Sequence, residues 1–310
     1  MTSEGARGRC RPGRVHDFHD LMQHRVMEIL LVASPYDSFL LEEAGELSER
    51  MLGEFRNLDL HYGPGLTRVS TGAEALAVVK QQRRFNLILT TVHVGDMNAA
   101  ELARRVRQEG LDIPVVLLAY DNRELKDFVA RRDVSALDRS FLWQGDARIL
   151  LAIVKYIEDK LNVAHDTATG GVQVILLVED NVRFYSSFLP TIYAELLTQS
   201  QRLISEGVNL ADKILRMRAR PKILLCSTFE EAWAAFEAYR EVLLGVISDI
   251  EFPRDGQNCR DAGLELARMI RGPWPDVPVL LQSSRPQNQA LAREAGADFL
   301  LKGSPLLLHD

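Results

Sequence analysis

Apolar residues along this chain gather in short runs, separated by longer stretches in which apolar and polar positions alternate with a helical period. In the first half the runs lie at 28–33, at 57–61 or 66–70, and at 86–91, 114–119 and 136–142. They are rich in Val, Ile and Leu and bounded by turn residues, which predicts strands buried on both faces. The stretches 73–82, 98–109, 123–131 and 146–161 predict amphipathic helices between them. Strict alternation of strand and helix predicts an α/β fold, a doubly wound five-stranded parallel sheet of flavodoxin-like order.

The second half repeats the first. Ile29-Leu30-Leu31-Val32-Ala33 returns as Ile175-Leu176-Leu177-Val178-Glu179, and Pro114-Val115-Val116-Leu117 as Pro278-Val279-Leu280-Leu281. The run ending at Thr91 returns as Val246-Ile247-Ser248-Asp249, and Phe141-Leu142-Trp143-Gln144-Gly145 as Phe299-Leu300-Leu301-Lys302-Gly303. The expected architecture is therefore two such sheets. About twelve extra residues precede Lys222–Cys226 in the second copy, and apolar residues recur at helical spacing from Leu189 to Leu215. This predicts an overlong first helix over 184–217, or a hairpin broken near Gly207. Its apolar stripe would serve as a brace within the chain or as a homodimer arm. After Ser304-Pro305 too few residues remain for a last helix, so that helix is expected to be truncated and the chain to be a fragment of something longer. The expected division is a flexible leader at 1–27, a first domain at 28–161, a polar linker ending in Gly-Gly at 162–171, and a second domain at 172–310.

Length and composition fit this division: 310 residues with 46% hydrophobic and 26% charged residues are ordinary for two globular domains. A net charge of −6 argues against nucleic acid as partner, since phosphate binding needs a basic surface. The run Arg216-Met217-Arg218-Ala219-Arg220 is read as a solvated basic helix end. No apolar run approaches the roughly 18 residues a membrane span needs, so no membrane partner is expected. The leader holds several Arg and His residues but no apolar segment of the kind a secretory signal requires. Three cysteines form no CxxC pair, which predicts neither zinc nor disulfides and fits a reducing, cytoplasmic compartment.

Charge separates the two copies. Glu179, Asp180, Asp249 and Lys302 stand where the first copy has Ala33, Ser34, Thr91 and Gln144. Ligands of open parallel sheets bind at the carboxyl ends of the strands. Glu179 and Asp180 end the first strand of the second copy, Asp249 the third, Ser283 the fourth and Lys302 the fifth, so all five should meet at one edge. Three carboxylates repel one another unless a hard cation sits among them, and a site with few carboxylates and room for water suits Mg²⁺. This set is equipped for phosphoryl transfer. Asp249 would be the nucleophile, Glu179, Asp180, Asp249 and the backbone carbonyl of Glu251 would hold Mg²⁺, and Lys302 and Ser283 would bind phosphoryl oxygens. The first copy lacks the carboxylate pair, and its Asp96 and Asp121 are read as turn residues.

The ordered set VEDN (178–181), ISDIEFPRDG (247–256), Ala262-Gly263-Leu264-Glu265-Leu266, PVLLQSS (278–284) and GADFLLKGS (296–304) resembles the receiver domain of bacterial response regulators. The resemblance covers about 172–304 and, more faintly, 28–161. It implies two-component phosphorelay signalling by a phospho-acceptor domain rather than an independent enzyme. The implied donor is a sensor histidine kinase or phosphotransfer protein, and Ser283 and Phe299 match the family's switch positions. The first copy would be a pseudo-receiver scaffold. Two departures stand out: Phe299 has no hydroxyl, and Gly303 stands where the family usually has a proline. The long inserted helix and the wording of LLGVISDIEFPRDG and FLLKGSP are also similar to the tandem receiver region ahead of a phosphoenolpyruvate/pyruvate-binding domain, which implies such an effector domain downstream. Two other classes fit parts of the pattern: a purely structural protein-interaction scaffold without phosphorylation, and a hydrolase acting on a small phosphate ester.

Overall fold

The first run of apolar residues is a strand, β1 (Glu28–Val32), buried from Ile29 onward, and it begins the first sheet. In chain order the first half continues with β2 (Gly65–Val69), α1 (Gly72–Gln81), β3 (Leu87–Thr90), the hairpin β4 (His93–Val94) and β5 (Met97–Asn98), α2 (Ala99–Gln108), β6 (Val115–Ala119), α3 (Asn122–Arg131), β7 (Arg139–Leu142) and α4 (Arg148–Gly170). The second half runs β8 (Val174–Val178), α5 (Val182–Ile204), β9 (Lys222–Cys226), α6 (Phe229–Tyr239), β10 (Leu243–Asp249), β11 (Phe252–Arg254), β12 (Gln257–Cys259), α7 (Ala262–Arg271), β13 (Val279–Ser283), α8 (Asn288–Glu294) and β14 (Asp298–Leu301). These come from a computed structural model, which describes residues 20–37, 39, 53, 55, 63–204 and 217–302.

Both sheets are parallel and five-stranded. Their orders, β2-β1-β3-β6-β7 and β9-β8-β10-β13-β14, are the same when each strand is matched to its copy. The fold is thus two flavodoxin-like doubly wound sheets. Of the two candidates for the second strand of the first sheet, the later one forms it, as Gly65–Val69; 57–61 lies outside the described residues. Helix starts follow local chemistry: Thr71, Asn98 and Asp121 cap α1, α2 and α3, their side chains accepting from backbone N–H groups in the first turn.

The expected linker is helix instead. α4 does not stop at Leu161 but continues to Gly170, and only Gly171, at φ +60°, ends it. The polar residues of 162–171 mislead because Asn162 and Asp166 are buried acceptors, both with 0% exposure. What they accept also corrects the flexible leader. Residues 20–27 run alongside α4, with the backbone N–H groups of Met22, His24 and Val26 donating to Asp166 Oδ1, Asn162 Oδ1 and Glu158 Oε1 at 3.0, 2.9 and 3.2 Å. Asn162 Nδ2 also donates to the His24 carbonyl at 2.6 Å. Asn162→Ala should cost about 1–3 kcal/mol and free the 20–27 segment; limited proteolysis with trypsin, cutting after Arg25, would show it. Residues 1–19 lie outside the described residues.

α5 braces the chain from within. Tyr185, Leu189, Tyr193 and Leu197 on this helix are buried in one apolar core with Ile149, Ile153 and Ile157 of α4, Leu31 and Leu89 of the first sheet, and Leu177, Ile223 and Leu225 of the second. The extension of α5 toward Gly207 and the chain after Lys302 lie outside the described residues. Along the seam, Lys155, Arg220 and Lys222 pair with Glu158, Asp159 and Asp166 at 2.7, 2.7 and 2.8 Å, every one of them buried. Arg220 therefore departs from the solvated basic end expected of 216–220: at 4% exposure it is the buried counter-ion of α4. No described helix is long and apolar enough to cross a membrane.

Candidate functional site

Sheet register sets the site. β8 pairs with β10 so that Val178 lies opposite Ser248, and the next residues, Glu179 and Asp180, leave their strand beside Asp249. β10 pairs with β13 through Asp249 and Gln282, and β13 with β14 through Ser283 and Leu301. Lys302 follows, its backbone N–H donating to the Ser283 carbonyl at 2.9 Å. Glu179, Asp180, Asp249, Ser283 and Lys302 therefore sit together at the carboxyl edge of the second sheet.

Carboxylate oxygens of Glu179, Asp180 and Asp249 lie within 4.8 Å of one another. Lys302 Nζ bridges two of them, 2.5 Å from Glu179 Oε2 and 2.6 Å from Asp249 Oδ2. Asn181 N–H donates to the other Glu179 oxygen at 3.2 Å. Burial pushes the Glu179 carboxyl up to about 7; Lys302 opposes this and the Asp249 charge adds to it. Burial, then Asp249, also raises Asp180. One ammonium does not offset three crowded carboxyls, and the all-oxygen donor set is of the hard kind that suits Mg²⁺. The residues present fit that ion.

Ser283 Oγ accepts from Arg285 N–H at 3.2 Å and Asn288 Nδ2 at 2.9 Å, which leaves its own O–H to donate. Phe299 lies on β14, partly buried against the core beneath the sheet. The Glu251 side chain is engaged away from the carboxylates, accepting from Asn258 Nδ2 at 3.0 Å and lying 3.5 Å from the Arg285 guanidinium. Asn288, Arg285 and Phe184 were not legible as site residues. They precede or follow the motifs without a charge pattern of their own.

Gly263 fixes how closely α7 approaches the acceptor strand. A Cβ there would lie 2.1 Å from the Asp249 carbonyl oxygen and 2.8 Å from Ile250 Cα, backbone atoms that cannot swing aside. Gly263→Ala should displace the start of α7 and the Asp249–Ile250 peptide, costing about 1–3 kcal/mol. A denaturant midpoint unchanged from wild type would contradict that packing.

The matching positions of the first copy are occupied differently. Ala33 is buried, Ser34 Oγ accepts from Asp37 N–H, and buried Thr91 donates to the His93 carbonyl at 3.2 Å. Gln144, standing where Lys302 stands, reaches the second half and donates to the Arg183 carbonyl at 3.0 Å. Asp121 caps α3, and Asp96 accepts from Gly72 and Ala73 N–H at the start of α1 at 2.7 and 3.1 Å. Among the described residues no second carboxylate cluster forms.

No family model matches the chain, and no curated protein matches it. Solved structures similar to it include a two-component system response regulator/GGDEF domain protein, 17% identical, covering 91% of this chain and 95% of that one at a TM-score of 0.35. Another is the signal receiver domain of an HD domain-containing protein from Pseudomonas fluorescens Pf-5, 18% identical, covering 46% of this chain and 93% of that one at 0.32. A third is a signal receiver domain of a Luxo repressor protein from Vibrio parahaemolyticus, 14% identical, with 47% and 98% covered at 0.32. The chain's structural neighbours thus include response-regulator receiver domains.

Proposed function

We propose that the chain is a two-component signalling protein whose second half accepts a phosphoryl group on Asp249, while the first half is a scaffold that cannot. The observation that carries this reading is the cluster of Glu179, Asp180 and Asp249 bridged by Lys302, confined to one of two otherwise matching sheets. An Asp249 Oδ attacks the phosphorus of a phosphohistidine on a sensor kinase or phosphotransfer protein. The new P–O bond forms as the P–N bond breaks, and the imidazole leaves with the electron pair and takes up a proton. Glu179, Asp180, Asp249 and the Glu251 carbonyl would hold Mg²⁺, which would supply charge neutralisation for the phosphoryl oxygens. Lys302 pairs with one such oxygen and Ser283 donates to another. Ser283 and Phe299 then bias an output surface, as charge-driven switches do. The output on this reading is a phosphoenolpyruvate/pyruvate-binding domain downstream, and a homodimer contact would use residues within 184–217.

A docking scaffold without phosphorylation is the second reading. It is favoured by Lys302, whose ammonium pairs with two of the three carboxylates. Incubation of the full chain with Mg²⁺ and phosphoramidate separates the two. A hydroxylamine-labile phosphate that needs Mg²⁺ supports the acceptor; no uptake together with no Mg²⁺ binding leaves the scaffold.

A further inference from the structure

We infer that Phe184 is a positioning residue for Lys302, and that the first half of the chain holds Phe184 in place. This rests on the phosphoryl-acceptor reading for its consequence but on geometry for its substance. Two of the three N–H directions of the Lys302 ammonium are taken by Glu179 and Asp249. On a further side lies the ring of Phe184, its centroid 4.5 Å from Nζ, and that ring stacks on Phe188 at 5.9 Å. An aromatic face carries negative charge density and attracts a desolvated ammonium. Lysine has a long flexible stem, so a wall that also attracts confines it where two hydrogen bonds alone would let it swing.

The residues on either side of Phe184 are tied to the other half. The Arg183 carbonyl accepts from Gln144 Nε2 at 3.0 Å, Tyr185 Oη donates to the Ser140 carbonyl at 2.5 Å, and Ser186 Oγ accepts from Leu142 N–H at 2.9 Å. The Arg139 guanidinium lies over the Tyr185 ring at 5.2 Å. The first turn of α5 is thereby fastened to β7 and the residues after it, and within this stretch the Phe184 ring meets the Lys302 ammonium. Gln144, the counterpart of Lys302, has become a support for the working lysine of the other copy.

The test compares Phe184→Leu, Phe184→Tyr and Gln144→Ala in the full chain, with two readouts. The first is the rate of Mg²⁺-dependent labelling by phosphoramidate, and the second the rate of reductive methylation of Lys302 followed by peptide mass. Leucine keeps the bulk and removes the ring face, so labelling should slow by about two- to thirty-fold and Lys302 should methylate faster; tyrosine should restore both. Gln144→Ala should move both readouts in the same direction by less. Wild-type values for Phe184→Leu would overturn the role of the ring. Slow labelling in Phe184→Leu with wild-type values in Gln144→Ala would overturn the part assigned to the first half. If the unaltered chain takes up no phosphate, the acceptor reading fails, and methylation alone still decides whether Phe184 positions Lys302.

Discussion

Replacing Asp249 with Asn is expected to abolish phosphoryl uptake, a loss of at least about a thousand-fold in rate, in a protein that remains folded. The amide matches the carboxylate in shape but lacks the anionic oxygen that attacks phosphorus. Lys302 keeps its contact with Glu179, so the strand ends stay joined. Removing the Asp249 charge also removes one push on its neighbours, and the Glu179 and Asp180 carboxyls should both titrate lower than in the unaltered chain. Acid-quenched labelling and a melting curve measure the two halves of this expectation. The mirror experiment, Thr91→Asp, should confer no uptake, since Ala33 and Ser34 supply no carboxylates beside it. Phosphate recovered on the Asn variant would place the acceptor elsewhere.

Asp159→Ala should destabilise the protein by about 3–5 kcal/mol, the largest effect expected of any single change away from the acidic site. Asp159 is fully buried on α4 and accepts from Arg220 at 2.7 and 3.1 Å, from Tyr193 Oη at 3.0 Å and from the Ile223 backbone N–H at 2.9 Å. Its loss strands the Arg220 charge, already desolvated, beside Lys222. The hydroxyl of Tyr193 and the Ile223 N–H of β9 lose their acceptor in the same stroke. Adding Arg220→Met should recover part of the loss, because an unpaired buried charge costs more than an apolar side chain of similar length. Equilibrium denaturation of the two variants gives the comparison, and a double variant less stable than Asp159→Ala would contradict it.

The order of strands and helices was legible because the central strands are short apolar runs, as in Ile29–Val32, Val115–Ala119 and Val174–Val178, alternating with amphipathic stretches. The chemistry at the strand ends was legible in kind, since Glu179, Asp180, Asp249 and Lys302 stand out against Ala33, Ser34, Thr91 and Gln144. What escaped is the seam. Asn162, Asp166 and Arg220 read as solvent-facing residues, and hydropathy has no term for a polar group whose partner is remote in sequence: Asp166 meets Met22, and Arg220 meets Asp159. Polarity was taken as exposure, so a helix became a linker and an ordered segment became a leader. Phe184 escaped for the converse reason. One aromatic on an apolar helix carries no mark that it faces a lysine more than a hundred positions away.

The continuous α4 also bears on how the chain comes apart. Among the described residues, strands of both sheets share one apolar core with this helix, so water entering between the halves would wet both. Domain-sized units that melt separately need a thin, polar boundary between them. Here the boundary is an apolar core flanked by buried ion pairs. The duplicated sheets therefore behave as one cooperative unit, with a single heat-absorption peak where a repeat of two independent modules would give two.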